Sequence, residues 1–400
     1  MYRLRIWRLN MKKNFDSHVL RRTLLSCAIV FVVSAFVAPV SCRLTEEGIE
    51  ILPADVSVPA VESFSVRGKN VIHLECSEKI VLDKVCVLEE GRDEEFAVAD
   101  SVTYSEDGKS CDVELSNNTM VGKNYVFSGK VFDETGNSLE FSQSFTGFND
   151  NPARLMFNEV YVKGDSKNQV AEFVEFVALK SGNTCGLELV SASKGEEKRY
   201  SFPAIEVKRG DYIVVHGRTF FTNTKTKEKK EILNFADELG EDINLSRTKF
   251  SHDSARDLWR EGDEKIISDT DVLVLRDGIT KSLKDAILFS ADSKNEWKPR
   301  MKEFAGEAHT LGIWGGGSSP SFAISSAGTS SLNRSISRKN TAAILEKYAD
   351  ENSLPQYICS FSDDWIVTEK YNVKNSNGKN LTVSGVTPGF ENSSNPYVPK

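Results

Sequence analysis

The sequence predicts an all-β protein: two β-sandwich domains behind an N-terminal export segment. Three observations carry this. A cationic start leads into an uncharged, largely apolar run. From Ala60 to Thr146, short alternating runs recur between turn signals. From Arg154 to about Asn392, a second and longer set of strand patterns follows, interrupted twice by polar excess.

The opening residues are basic: Arg3, Arg5, Arg8, Lys12, Lys13, Arg21 and Arg22, opposed only by Asp16. The uncharged run Thr23–Cys42 follows, and its most apolar stretch is Leu24–Val37. A basic flank, a short apolar block and small residues at the end describe a secretory signal peptide. The positive flank stays cytoplasmic while the apolar block enters the bilayer. Met11 begins a compact version of the same pattern.

Val40 and Ser41 precede Cys42, and this end resembles a bacterial lipobox. The resemblance implies a signal segment over residues 1–42, with Cys42 as the lipidation site. Anchoring then follows from burial, at about 0.8 kcal/mol per methylene. The family's usual leucine position holds Pro39. An uncleaved signal anchor and ordinary cleavage after Ala35 are the alternatives, and export is common to all three.

The chain has 50 basic and 58 acidic residues. Residues 1–42 hold seven basic and one acidic, so the remainder carries 43 against 57, a net charge of −14. Such a surface repels phosphate backbones, whose binding needs neutralising Lys and Arg. Nucleic acid is therefore not expected as a partner. Beyond Cys27 and Cys42 lie Cys76, Cys86, Cys111, Cys185 and Cys359, without a CxxC pair or metal-ligand spacing. An oxidising compartment permits disulfides, and an odd count leaves at least one thiol over. Buried reduced cysteines in strands are the competing expectation.

Residues 43–59 show no clear period and are expected to form a tether. Residues 60–148 read as the first domain. VESFSV, NVIHLECS, KIVLDKVCVLEE, SCDVELS, KNYVFSGKVFD and LEFSQSF alternate between turns, the spacing of a sandwich. Tyr125, Gly129, Asp133, Gly136 and Asn137 fall in a Tyr-x-x-x-Gly-x-x-x-Asp-x-x-Gly-Asn hairpin. That hairpin resembles the end of bacterial Ig-like domains. The run Phe148–Pro152 is polar and proline-bearing, as domain boundaries are. Its Asn149–Asp150–Asn151 supplies too few oxygens for calcium, which takes six to eight, and reads as a linker.

Residues 153–392 read as the second domain. Its elements are Asn158–Glu159–Val160, then Glu172 and Glu175, then Phe202–Pro203 with Gly210–Asp211–Tyr212 and Val214–Val215. Ser331–Leu332 with Arg334, Trp365, and Thr387–Pro388–Gly389 with Asn392 close the series. In this order they resemble a lamin tail domain, an Ig-like sandwich. The resemblance implies two Ig-like sandwiches in all, and no catalytic residues. Phe173–Val174–Glu175–Phe176 stands where that family usually has Trp-Ile-Glu-Leu. Insertions are expected at about 218–268 and 294–356. The second contains a flexible GGGSSPS loop and the helical pattern TAAILEKYADE. Loops of this kind lie on surfaces that also carry binding.

The chemistry-bearing patterns HExxH, GxSxG and GxxxxGK[ST] are absent from the sequence. Ser191–Lys194 and Ser246–Lys249 fit Ser-x-x-Lys without its companion motifs, and read as chance. His73, His216, His252 and His309 are widely separated, and His73 and His216 sit in or at the end of strands. Asp269, Asp271 and Asp277 flank a strand, and Asp237, Glu238, Glu241 and Asp242 cluster as a solvated acidic loop. Trp259, Trp297 and Trp314 either pin the insertions to the sandwich or stand exposed as binding anchors.

These readings lead to a non-catalytic cell-envelope lipoprotein, a protein-interaction, scaffold or adhesion module. No cofactor or metal is expected. The expected partners are the membrane, through the N-terminal lipid, and another protein or envelope component. The alternatives are a hydrolase, with acidic residues and His252 or His309 converging in the insertions, and a calcium- or carbohydrate-binding module.

Overall fold

The computed structural model describes residues 41–45, 48–52, 57–167, 170–223, 225–231, 255–292, 296–374 and 378–398. The chain is mostly β-sheet, with sheets packed as sandwiches. Strands Ser41–Thr45 and Gly48–Leu52, which span the end of the expected signal segment and part of the expected tether, pair as a short antiparallel hairpin.

The first domain has seven strands. Their order is Val61–Val66, Val71–Cys76, Ser110–Leu115, Glu95–Tyr104, Val81–Glu89, Asn124–Phe132 and Ser138–Thr146. The long strand Glu95–Tyr104 pairs with Ser110–Leu115 through one end and with Val81–Glu89 through the other, joining two half-sheets. Ile72, Leu74, Val87, Val113, Tyr125, Phe127 and Val131 fill the core between them. Phe64 packs edge-on to Phe127 and tilted on Phe145, which closes one side.

The hairpin motif is explained by its contacts. The Tyr125 hydroxyl is buried and accepts the Met120 N–H at 3.0 Å. Gly129 lies between rings: a Cβ there meets Phe141 and Phe127 carbons at 3.1–3.2 Å. Asp133 accepts from the backbone N–H groups of Thr135 and Asn137, both at 2.8 Å, fixing the turn.

The second domain stacks two sheets. One runs Ala255–Trp259, Tyr212–His216, Phe173–Lys180, Arg154–Tyr161, Ile336–Arg338, Trp365–Val367. The other runs Tyr200–Ser201, Leu187–Ser191, Asp271–Asp277, Leu283–Ser290, Ile324–Ser325. Phe157, Val160, Val174, Phe176, Val274 and Ile287 lie between them, and the aromatic rings of Phe157 and Phe176 sit 4.7 Å apart.

The two excess segments are partly woven into this frame. Ala255–Trp259 lies inside the expected insertion 218–268 yet adds a parallel edge strand beside Tyr212–His216. In the segment 294–356, the helix Pro299–Thr310 packs on the second sheet through Met301, Phe304, Ala305 and Ala308. The expected helix spans Thr341–Lys347. The GGGSSPS stretch, expected as flexible, is held in contact. Gly315 packs against Phe361, Gly317 packs against Phe322, and a 3-10 turn covers Pro320–Phe322. Trp259, Trp297 and Trp314 are buried, with the Trp297 and Trp314 indole N–H groups donating to Ser318 O at 2.7 Å and Phe322 O at 3.1 Å.

The domains meet along the linker. Asn149 donates to the carbonyls of Asn183 and Cys185 at 3.0 and 2.9 Å, and Lys69 pairs with Asp150 at 2.9 Å. At Gly122, φ is +78° and a Cβ meets that of Ala204 at 2.3 Å. Glycine is needed there for two reasons, a left-handed backbone and a close approach. Gly122→Ala is expected to loosen the junction and speed proteolysis of the 148–152 linker. Gly91→Ala, with φ +81° but open space around it, bears the backbone cost alone and should leave linker cleavage unchanged. Equal behaviour of the two variants contradicts the packing account.

Candidate functional site

Six of the residues that carry the second-domain resemblance, Asn158, Glu159, Glu175, Thr387, Gly389 and Asn392, meet at one place. The pairing of Arg154–Tyr161 with Phe173–Lys180 shifts register between Phe157 and Glu159, so Asn158 is the extra residue of a β-bulge. A bulge leaves ladder groups unpaired, and buried ones must find other partners. Here side chains supply them. The Phe157 N–H donates to Asp285 at 2.8 Å, and Arg338 Nε donates to Phe157 O at 2.8 Å. Asn392 Nδ2 donates to Asn158 O at 3.1 Å and to Arg338 O at 2.8 Å.

Beside the bulge, Glu159 and Glu175 face each other across the two strands, and both are fully buried. The Ser335 and Ser337 hydroxyls donate to Glu159, the latter at 3.2 Å, and the Thr387 N–H donates to both its oxygens at 3.1 Å. Glu175 accepts from Asn158 Nδ2 at 2.6 Å and from the Gly389 N–H at 2.5 Å. The Thr341 hydroxyl donates to Asn158 Oδ1 at 2.5 Å. The Thr-Pro-Gly-x-x-Asn segment is thereby bound over the outer face of the sheet.

Burial pushes the Glu159 carboxyl up to about 7, against the pull of its hydroxyl and amide donors. Burial, and then the neighbouring Glu159, raise Glu175 well above the usual range. Two carboxylates so close cannot both ionise cheaply in a dry site, so the pair retains a proton. Arg218 grips Glu172 through Nε and Nη2, both at 2.9 Å.

The remaining sequence candidates are also held by internal partners. His216 Nε2 meets Asp257 at 2.5 Å and its ring stacks on Trp259 at 3.9 Å. His73 pairs with Asp112 at 2.7 Å, and His309 Nδ1 lies 3.1 Å from Trp314 O. Asp271 accepts from the Ser191 and Ser193 hydroxyls, both at 2.6 Å, so the Ser191 of the Ser-x-x-Lys match is a structural donor. Asp277 caps the turn at Ile279 and Thr280, and Asp269 pairs with Lys265. His252, Asp237, Glu238, Glu241, Asp242 and Ser246–Lys249 lie outside the described residues. Among the described residues, no three His, Cys, Asp or Glu side chains group as a metal site. Cys76, Cys86, Cys111, Cys185 and Cys359 are free thiols, and burial raises Cys111 to about 12.

Sequence reasoning missed Asp257, Asp285 and Arg338. A signal existed for one of them: Asp285 stands directly before the apolar run Ala286–Phe289. Burial raises Asp285 to about 6, opposed by Arg338 and two backbone N–H donors. Outside this sealed cluster, a cleft of about 470 Å³ opens where the domains meet. Val66, Phe148, Leu155 and Leu187 line it, with Lys180 and Lys284 among its cations. Its size and apolar lining are those of a binding cleft.

Fold and site together define an all-β protein of two sandwiches, the second closed by a buried acid pair. Residues 153–367 match the family model TP_1001_2nd, described as a protein second domain, and the chain belongs to that family. An uncharacterized protein of Treponema pallidum (strain Nichols) is 30% identical over 172 residues, covering 42% of this chain. The match spans 40% of that relative's length. Among solved structures, the N-terminal part of the bacterial S-layer protein SbsC overlaps 46% of this chain and 42% of its own. It does so at 18% identity and a TM-score of 0.23. The S-layer protein rSbsC(31-844) overlaps 56% of this chain and 40% of its own, at 14% identity and a TM-score of 0.22.

The acid pair sets a pH dependence. Below the ordinary glutamate value of 4.5, Glu159 is protonated whether the chain is folded or not. Between 4.5 and about 7, only the unfolded chain releases this proton, so the Glu159 contribution falls as pH rises through this window, and Glu175, also raised, adds to the fall. Glu159→Gln removes this term. Its stability relative to wild type, from urea melts, is expected to rise between those two pH values. A difference independent of pH contradicts the assignment.

Proposed function

We propose that this chain is an exported cell-envelope lipoprotein acylated at Cys42, with a lamin tail-like second domain, acting as a non-catalytic interaction or scaffold module. One observation carries the reading of the body. Among the described residues of the second domain, the acids Glu159, Glu175, Asp257, Asp271 and Asp285 and the histidine His216 are sealed from solvent and held by internal partners. Reaction chemistry needs groups that reach a substrate. What this domain offers outward is surface, including the apolar cleft at the domain junction.

The reading of the anchor rests on the sequence of residues 1–42, with its basic flank, apolar run and terminal Cys42. A folded, acidic body on a lipid suits contact with another protein or envelope component, reached from the membrane surface. In bacteria labelled with radioactive palmitate, the wild-type chain is expected to incorporate label and fractionate with membranes. Cys42→Ala should lose the label. Incorporation unchanged in that variant overturns the lipoprotein assignment.

A further inference from the structure

We infer that the first domain pairs with a second copy of itself through the edge strand Ser138–Thr146, in an antiparallel register centred on Ser142. This strand is hydrogen-bonded to Asn124–Phe132 on one side, and among the described residues no strand covers the other. Unpaired edges are templates for another strand, and proteins ordinarily blunt them with charged side chains, above all lysine, or with proline, bulges or short length. This edge has one of these devices, the charge of Glu140. It runs nine residues, contains neither Pro nor Lys, and pairs with its neighbour without a register shift.

The other open edges differ. Val61–Val66 carries a register shift at Val61/Ser63. Tyr200–Ser201 and Ile324–Ser325 have two residues each, and Trp365–Val367 has three. Ala255–Trp259 has five, and its Arg256 guanidinium is spent on Glu206 O at 2.9 Å. Beyond its own ladder, the Ser138–Thr146 backbone has a single hydrogen bond among the described residues, from the Gln143 amide to Ser144 O at 3.2 Å.

The side chains decide the occupant. Glu140 is the strand's single charged residue. With Ser142 on the two-fold axis, Glu140 faces Ser144 of the other copy, Leu139 faces Phe145, Phe141 faces Gln143, and Ser138 faces Thr146. No like charges meet, and the half-buried Leu139 and Phe141 gain apolar and amide neighbours. The outward stripe Ser138, Glu140, Ser142, Ser144, Thr146 brings hydroxyls together, and serine and threonine pairs of this kind support sheets. Within each copy, Glu140 keeps its ion pair with Lys130 at 3.1 Å. A two-fold arrangement is the commonest closed symmetry and uses one patch twice.

The test changes one exposed position in two directions. Sedimentation equilibrium of the full chain in mild detergent is expected to show a monomer–dimer equilibrium. Ser144→Glu places two glutamate pairs face to face and should weaken the dimer about tenfold. Ser144→Lys places lysine opposite glutamate twice and should tighten it. A wild-type chain that stays monomeric at its highest soluble concentration overturns the inference. So does a dimer that shifts in the same direction, or not at all, in both variants.

Discussion

A pair of carboxyl groups buried in a dry sheet is costly unless every lone pair is occupied. Glu159 and Glu175 stand in that position, next to a bulge where the backbone of Phe157 and Asn158 bonds to side chains. The second domain is organised around meeting both demands. Asp285 and Arg338, from two different strands, satisfy Phe157. Thr387, Gly389 and Asn392, more than two hundred residues along the chain, satisfy the acids and Asn158. The C-terminal segment is therefore a structural lid on the outer face of the sheet, and the sheet's polar interior dictates where it lies.

The cluster also separates what the domain conserves inside itself from what it shows outside. Its acids accept from five residues, Asn158, Ser335, Ser337, Thr387 and Gly389, so substitution there acts on folding first. Buried networks of this kind are strongly destabilised when one member is lost. The proposed contacts fall to the surface: the cleft at the junction and the edge of the first domain.

Much of this was legible in sequence, for identifiable reasons. Tyr125, Gly129 and Asp133 could be read because each performs a local task, a hydroxyl acceptor, a gap between rings and a turn cap. The strands Arg154–Tyr161 and Phe173–Lys180 could be read from apolar runs. Glu95–Tyr104 could not, because only Ala97 is buried along it and its pattern does not alternate cleanly. The helix Pro299–Thr310 was hidden by its polar face and by a first turn without a side-chain cap. The bulge at Asn158 is a property of pairing between two strands, so no single strand displays it. The Asp257–His216 contact was hidden for the same reason. It depends on a parallel strand returning after a long excursion.

The buried acids lock the Thr387–Asn392 segment to the sheet. Amide hydrogen exchange at Thr387 and Gly389 tests it most directly, since those N–H groups donate to Glu159 and Glu175. Both are expected to exchange only when the second domain unfolds, with the same free energy as core amides such as that of Phe176. Exchange at the rate of an open loop, while Phe176 stays protected, contradicts it.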